Sequence, residues 1–229
     1  MSPILANIYL HYTLDLWFER VVRKYCRREA YIVRYCDDFV CCFQYKIDAE
    51  RFYLALIQRL KKFNLEIAEE RTKIIEFGRF ACTQCKKYGK TKPETFDFLG
   101  FTHYCSQGRN GQFRVKRKTS RKKFKASLLR IKEWIKIRRN WLIKYLMDEL
   151  KVKLNGYYRY YGITDNSSMI DAFYYKTNLI LFKWLNRRSH RKSFGWDKFN
   201  LFLQRHPIPK PKIYINIYHK KAGFGYVGK

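Results

Sequence analysis

Acidic residues are scarce in this chain: 19 Asp and Glu stand against 49 Lys and Arg over 229 residues, a net charge of +30. A surface so short of carboxylates points to a polyanionic partner, and nucleic acid is the expected one. Proline and glycine are also few, at 5 and 11, beside 47% hydrophobic and 18% aromatic residues. That balance excludes a low-complexity basic tail and predicts a packed chain of one or two domains. No uninterrupted apolar run is long enough to span a bilayer, and Met1-Ser2-Pro3 opens no cleavable signal with a basic flank, so the expectation is an intracellular protein with no membrane partner. The seven cysteines are odd in number and scattered through apolar stretches, which suits a reducing compartment better than a disulfide framework. His11, His190, His206 and His219 have no acidic or nucleophilic companion at a suggestive spacing, and no catalysis is assigned to them.

The charge is uneven. Residues 1–113 hold 19 basic and 13 acidic residues, whereas 114–229 hold 30 and 6, so the second half is the electrostatic footprint. Binding through such a surface proceeds mainly by counterion release and carries little sequence information. Arg114–Arg139 concentrates it, with 13 basic residues and one acid, and with Phe124 and Trp134 interleaved. Arg114, Lys116, Arg117, Lys118, Arg121, Lys122 and Lys125 are the candidate phosphate contacts; a merely solvated charged face is the alternative.

In the first half, Tyr35-Cys36-Asp37-Asp38 lies between the apolar runs Ile32-Val33 and Phe39–Phe43. Adjacent strand residues point to opposite faces, so the two acids converge on one divalent ion only if the chain turns sharply there. The flanking β-branched and aromatic residues supply two strands for such a hairpin. Mg²⁺ prefers hard oxygens and retains waters, and one or two carboxylates plus substrate phosphates suit it. An Asp-Asp pair that is only a turn is the plain alternative.

Further along, Ser2-Pro3 followed by Leu5, Ile8, Tyr9, Tyr12 and Leu16 predicts a capped helix to about Val22 with one apolar face. Phe52, Leu56, Leu60 and Phe63 predict a helix over 48–63. Residues 65–77 read as two short extended pieces around Glu69-Glu70-Arg71-Thr72-Lys73, and Phe96–Phe101 as a strand. Asn110-Gly111 predicts a hairpin turn between Thr102–Cys105 and Phe113–Val115. From Thr119 the character becomes helical, with Phe124, Leu128, Ile131 and Ile135 as one stripe, further helices at about 141–161 and 167–189, and a shorter one near 196–204.

Several of these segments match one family in order and spacing: Ser2-Pro3-Ile4-Leu5-Ala6-Asn7-Ile8-Tyr9-Leu10, Arg34-Tyr35-Cys36-Asp37-Asp38-Phe39-Val40, Glu69-Glu70-Arg71-Thr72-Lys73-Ile74, Thr95-Phe96-Asp97-Phe98-Leu99-Gly100-Phe101 and Asn155–Gly162. The chain resembles the C-terminal part of a bacterial group II intron reverse transcriptase/maturase. The resemblance implies an α+β fold: a partial right-hand polymerase palm at 1–116, an antiparallel sheet with helices, then an all-α thumb/maturase (X) domain at 119–205 and a Pro/Lys-containing tail at 206–229. It implies RNA-directed DNA synthesis with Mg²⁺, in a two-metal site whose ions lie roughly 3.5–4 Å apart. RNA template, DNA primer and intron RNA are the implied partners, in a bacterial cytoplasm.

By that resemblance Asp37 and Asp38 belong to the metal site, and Lys73 stands where a lysine can protonate leaving pyrophosphate, a solvated strand lysine being the alternative. Phe98, Leu99 and Gly100 look like the primer-grip strand, with core packing as the competing role for the first two. Arg159 and the tyrosines of Gly156–Tyr161 offer planes for stacking on bases, although Tyr157, Tyr160 and Tyr161 recur at helical spacing and suit core packing. The family's earlier palm Asp and its Pro-Gln-Gly-Gly run would precede Ser2, so the chain alone is expected not to polymerise. A non-catalytic RNA-binding or splicing cofactor is the second reading. Cys82, Cys85, His103 and Cys105 are a weak zinc alternative, because a lone C-x-x-C followed by H-x-C is not a zinc-ribbon spacing.

Overall fold

The computed structural model describes residues 3–108, 110–188 and 195–218. The fold mixes helices with two small sheets and divides into two compact units, one of residues 1–98 and 104–115, the other of residues 99–103 and 116–229.

In the first unit, α1 (Pro3–Leu10) runs on through two π-helical turns, His11–Asp15 and Phe18–Val22, into α2 (Arg23–Tyr25). Each π turn inserts an extra residue and rotates the side chains that follow. The predicted apolar face is corrected: Leu5, Ile8, Tyr9 and Tyr12 are exposed, and Leu14, Phe18 and Val22, carried by the π turns, enter the core instead. The predicted cap Ser2 lies outside the described residues. Strands β1 (Ala30–Tyr35) and β2 (Asp38–Phe43) form an antiparallel pair, followed by α3 (Lys46–Lys62), which buries Phe52, Leu56 and Leu60. Ile32, Phe39, Cys41 and Phe43 pack onto this core. Burial pushes the Cys41 thiol up, so it behaves as a small apolar strand residue and not as a nucleophile.

Residues 65–77 do not form the two extended pieces read from the sequence; a single 3₁₀ turn at Glu69–Arg71 is the regular structure there. Helix α4 (Ala81–Lys87), which the sequence pattern does not announce, carries Cys82 and Cys85. Phe96–Phe101 is likewise not one strand. It breaks into β3 (Phe96–Phe98) and the start of β4 (Phe101–Gln107), with Leu99 and Gly100 as a two-residue turn at φ +50° and +79°. Two successive positive φ values are the requirement of the tightest hairpin turn, and Gly at the second position meets half of it. Strand β5 (Phe113–Thr119) completes the order β3-β4-β5, with the Asn110-Gly111 turn where the sequence places it.

The second unit is mainly helical. Ser120 caps α5 (Arg121–Arg138), its hydroxyl accepting from the Lys123 amide, and α6 (Ile143–Tyr161), α7 (Ser167–Leu185) and α8 (Trp196–Arg205) follow. Their core joins Ile131 and Ile135 of α5 to Leu146, Leu150, Leu154 and Tyr158 of α6 and to Ile170, Phe173 and Leu181 of α7. The segment after α8 is docked by its backbone: the Tyr214 amide donates to the Gly162 carbonyl at 2.7 Å, the Thr164 amide to the Ile215 carbonyl at 3.0 Å, and Ile208 is buried. Among the described residues no helix is long and apolar enough to cross a membrane.

Candidate functional site

Two residues, Cys36 and Asp37, connect β1 to β2, and Tyr35 pairs directly with Asp38. Cys36 takes φ +55°, which lets a two-residue connection close. Asp37 thus sits in the turn and Asp38 on the first position of β2, both exposed. Alternation puts Ile32, Arg34, Phe39 and Cys41 on the face toward the core, and Val33, Tyr35, Asp38 and Val40 on the other. The sharp turn that convergence of the two acids requires is present. Their oxygens suit a hard divalent cation, whose remaining positions would be left to water and substrate. Among the described residues no group of three or more His, Cys, Asp or Glu gathers as a metal site, so no further side chain of these types joins the pair.

The core-facing parity of β1 contains an arginine. Arg34 reaches back to the N-terminal helical segment, donating from Nε and Nη2 to the two carboxylate oxygens of Asp15 at 2.8 and 2.6 Å. Its Nη1 donates to Asn7 Oδ1 and to the Cys36 carbonyl, both at 2.8 Å. The Arg34 guanidinium holds the Asp15 carboxyl below its usual range, against the opposing effect of burial. Arg34, Asp15 and Asn7 were not picked out as site residues from the sequence. The available signal is a charged residue at a strand position whose neighbours two apart face the core.

Lys73 is exposed and lines an open cleft of about 440 Å³ with Ile74, Ile75, Glu94 and Thr95. In the second unit, the Leu99-Gly100 turn is held by three contacts. Tyr160 donates its hydroxyl to the Leu99 carbonyl at 2.9 Å, the Ser120 amide donates to the Gly100 carbonyl at 2.9 Å, and the Phe101 ring stacks on Tyr160. A Cβ on Gly100 would lie 3.2 Å from the Tyr161 hydroxyl. Leu99 and Gly100 are half-buried there, as is Phe98 at the end of β3. Tyr158 and Tyr161 are core residues, whereas Arg159 and Tyr160 are exposed.

Of the candidate phosphate contacts, Arg121, Lys122 and Lys125 project from the first turns of α5 and are exposed, as is Lys118; Arg114, Lys116 and Arg117 on β5 are half-buried. On α4, Cys82 is exposed and Cys85 buried, and the Cys105 thiol is engaged with Gly78, whose amide it accepts at 3.4 Å. The zinc alternative finds no assembled ligand set among the described residues.

Residues 1–103 match the model of the reverse transcriptase (RNA-dependent DNA polymerase) family. The match takes in the Asp37-Asp38 hairpin, the Arg34 contacts, Lys73 and the Leu99-Gly100 turn. No curated protein matches the chain significantly. Beyond residue 103, the helices of the second unit lie outside this reverse transcriptase match.

Proposed function

We propose that the chain is the palm and thumb portion of a group II intron-type reverse transcriptase, with residues 119–205 acting as the thumb/maturase domain that holds a primer–template duplex and intron RNA. The observation that carries this reading is the Asp37-Asp38 turn, two hard-oxygen ligands presented at the tip of a tight hairpin inside the segment that matches the reverse transcriptase family. A divalent ion bound there would stabilise the attacking 3′-oxygen and the leaving pyrophosphate. Asp37 and Asp38 hold the cation, Lys73 supplies a proton to the leaving group, and Phe98, Leu99 and Gly100 lie along the primer. Arg114, Lys116, Arg117, Lys118, Arg121, Lys122, Lys125 and Arg159 contact the nucleic acid. The net charge of +30 supports the last assignment. Two carboxylates are too few to hold two ions, so these 229 residues alone bind the duplex without extending it.

The test is binding of a recessed RNA–DNA primer–template by fluorescence anisotropy, with and without Mg²⁺, over a salt series. Affinity should fall steeply with salt. Mg²⁺ should tighten binding by the wild-type chain and not by Asp37→Asn. Identical Mg²⁺ dependence in both chains would overturn the polymerase reading and leave the RNA-binding or splicing cofactor in its place. Primer extension abolished by Asp37→Ala would show that the chain is active by itself.

A further inference from the structure

We infer that Arg34 is a positioning residue for the Asp37 carboxylate, an assignment that rests on the metal-binding reading of the hairpin. The Arg34 side chain is only 12% exposed, and its guanidinium spends four of its five N–H donors on Asp15, Asn7 and the Cys36 carbonyl. Asp15 fixes its plane through two parallel bonds, the geometry in which a guanidinium and a carboxylate match. Asn7 fixes Nη1, and Asn7 is itself oriented by donating to the Pro3 carbonyl at 3.1 Å. The remaining bond from Nη1 ends on the Cys36 carbonyl. That carbonyl belongs to the peptide plane joining Cys36 to Asp37, so pinning it sets the direction in which the Asp37 side chain leaves the turn. The plane needs a holder, because Cys36 occupies the left-handed region at φ +55° without being Gly, Asn or Asp.

An ordinary ion pair does not account for this arrangement. If Arg34 only neutralised Asp15, lysine would serve as well; the fork geometry is required because one nitrogen bridges Asn7 and Cys36 while the other two engage Asp15. Asp15 also cancels the guanidinium charge, so the turn gains a rigid donor without a net positive charge that would repel a cation. The arrangement does for a hairpin carboxylate what partners outside the coordination sphere do for metal ligands in general.

The experiment titrates Tb³⁺, a luminescent hard cation, into the full chain, reading aromatic-sensitised emission and, from lifetimes in H₂O and D₂O, the number of bound waters. Asp37→Asn should remove the tightest saturable component. Arg34→Lys should stay folded by circular dichroism, weaken that component about tenfold and raise the bound-water count, which a loss of stability alone would not do. If Asp37→Asn leaves Tb³⁺ binding unchanged, the metal-site reading fails and this assignment fails with it. If Asp37→Asn removes the component but folded Arg34→Lys retains it at full affinity, only the assignment to Arg34 is overturned. Should Arg34→Lys not fold, Asn7→Ala decides. Removing the half-buried acceptor on the same nitrogen should weaken Tb³⁺ by about threefold if Arg34 positions Asp37, a fraction of the loss expected for a full outer-shell partner, and unchanged affinity overturns the proposal.

Discussion

Replacing Asn166 by alanine should cost the second unit about 2 kcal/mol, and the structure sets that figure. Asn166 is fully buried between α6 and α7, and its amide makes three bonds: Oδ1 accepts from the Thr119 amide at 2.8 Å, and Nδ2 donates to the Thr119 hydroxyl at 2.9 Å and to the Tyr161 carbonyl at 2.8 Å. Its side chain does not cap α7, so loss of a helix cap adds nothing. Alanine strands one buried backbone group, the N–H of Thr119, at about 1–3 kcal/mol, and removes one of two donors from the Tyr161 carbonyl, which keeps its bond from the Ile163 amide at 2.9 Å, while relieving the burial of the amide itself. Asn166→Asp provides the sharper contrast. It replaces the donor by an oxygen facing the Tyr161 carbonyl, and burial should raise the folded pKa of that new acid above its unfolded value. The protonated form is then favoured by folding, so Asn166→Asp should lie closest to wild type below about pH 4 and fall away as pH rises through the raised pKa. Urea unfolding followed by tryptophan fluorescence suits the question, because Trp134, Trp141, Trp184 and Trp196 all lie in the second unit and only Trp17 in the first. A loss below about 1 kcal/mol for Asn166→Ala, or an Asn166→Asp deficit that does not vary with pH, would refute the reasoning. The network matters for function because it ties down the neighbours of the residues that hold the Leu99-Gly100 turn. Thr119 precedes Ser120, and Tyr161 follows Tyr160.

Two further outcomes follow from the same contacts. At the Leu99-Gly100 turn, Leu99→Ile should be about 1–2 kcal/mol less stable than Leu99→Asn in urea, since asparagine tolerates the left-handed region and a β-branched side chain does not; equal stabilities would mean that the turn is not left-handed. The Asp15–Arg34 pair should contribute a pH-dependent stability to the first unit. Because Arg34 depresses the folded pKa of Asp15, the contribution is fully present above the ordinary value of 3.8 and is lost as pH falls through the depressed one. The gap between wild type and Asp15→Asn in thermal or urea unfolding should accordingly be full near pH 6 and close at lower pH.

Much of the secondary structure was legible in the sequence where one periodicity was strong. The apolar β-branched and aromatic runs around Asp37-Asp38 point to β1 and β2, the Phe52, Leu56, Leu60 stripe to α3, and the Phe124-to-Ile135 stripe to α5. What failed did so for identifiable physical reasons. From His11 onward the N-terminal helix buries Leu14, Phe18 and Val22 off the predicted stripe because two π turns shift the phase, and nothing in local composition announces a π turn. Phe96–Phe101 reads as one strand because Leu precedes Gly where a tight turn ordinarily has Asn or Asp. Helix α4 is too short and too polar for its period to stand out. At the hairpin, Asp37 and Asp38 were legible as adjacent acids between strands, but the Arg34 clamp was not. Its partners Asn7 and Asp15 lie 27 and 19 residues away, and only the folded chain brings them together.

The conformational exceptions support the same two places. Four non-glycine residues among those described have positive φ: Cys36, Asn64, Leu99 and Asp165. Asn and Asp tolerate this region because their short polar side chains can bond to nearby backbone. Cys36 and Leu99 have no such excuse, and each costs folding energy of about 1–3 kcal/mol that the surroundings must override. Both are held through their own carbonyl by a long side chain of the same unit, Cys36 by Arg34 two residues before it and Leu99 by the sequence-distant Tyr160. One lies beside the paired carboxylates and the other in the segment assigned to the primer. Local preference is thus overruled at the two turns where the proposed reaction needs backbone held in one orientation, and it is overruled by the same device in each, a hydrogen bond that fixes the peptide plane following the strained residue.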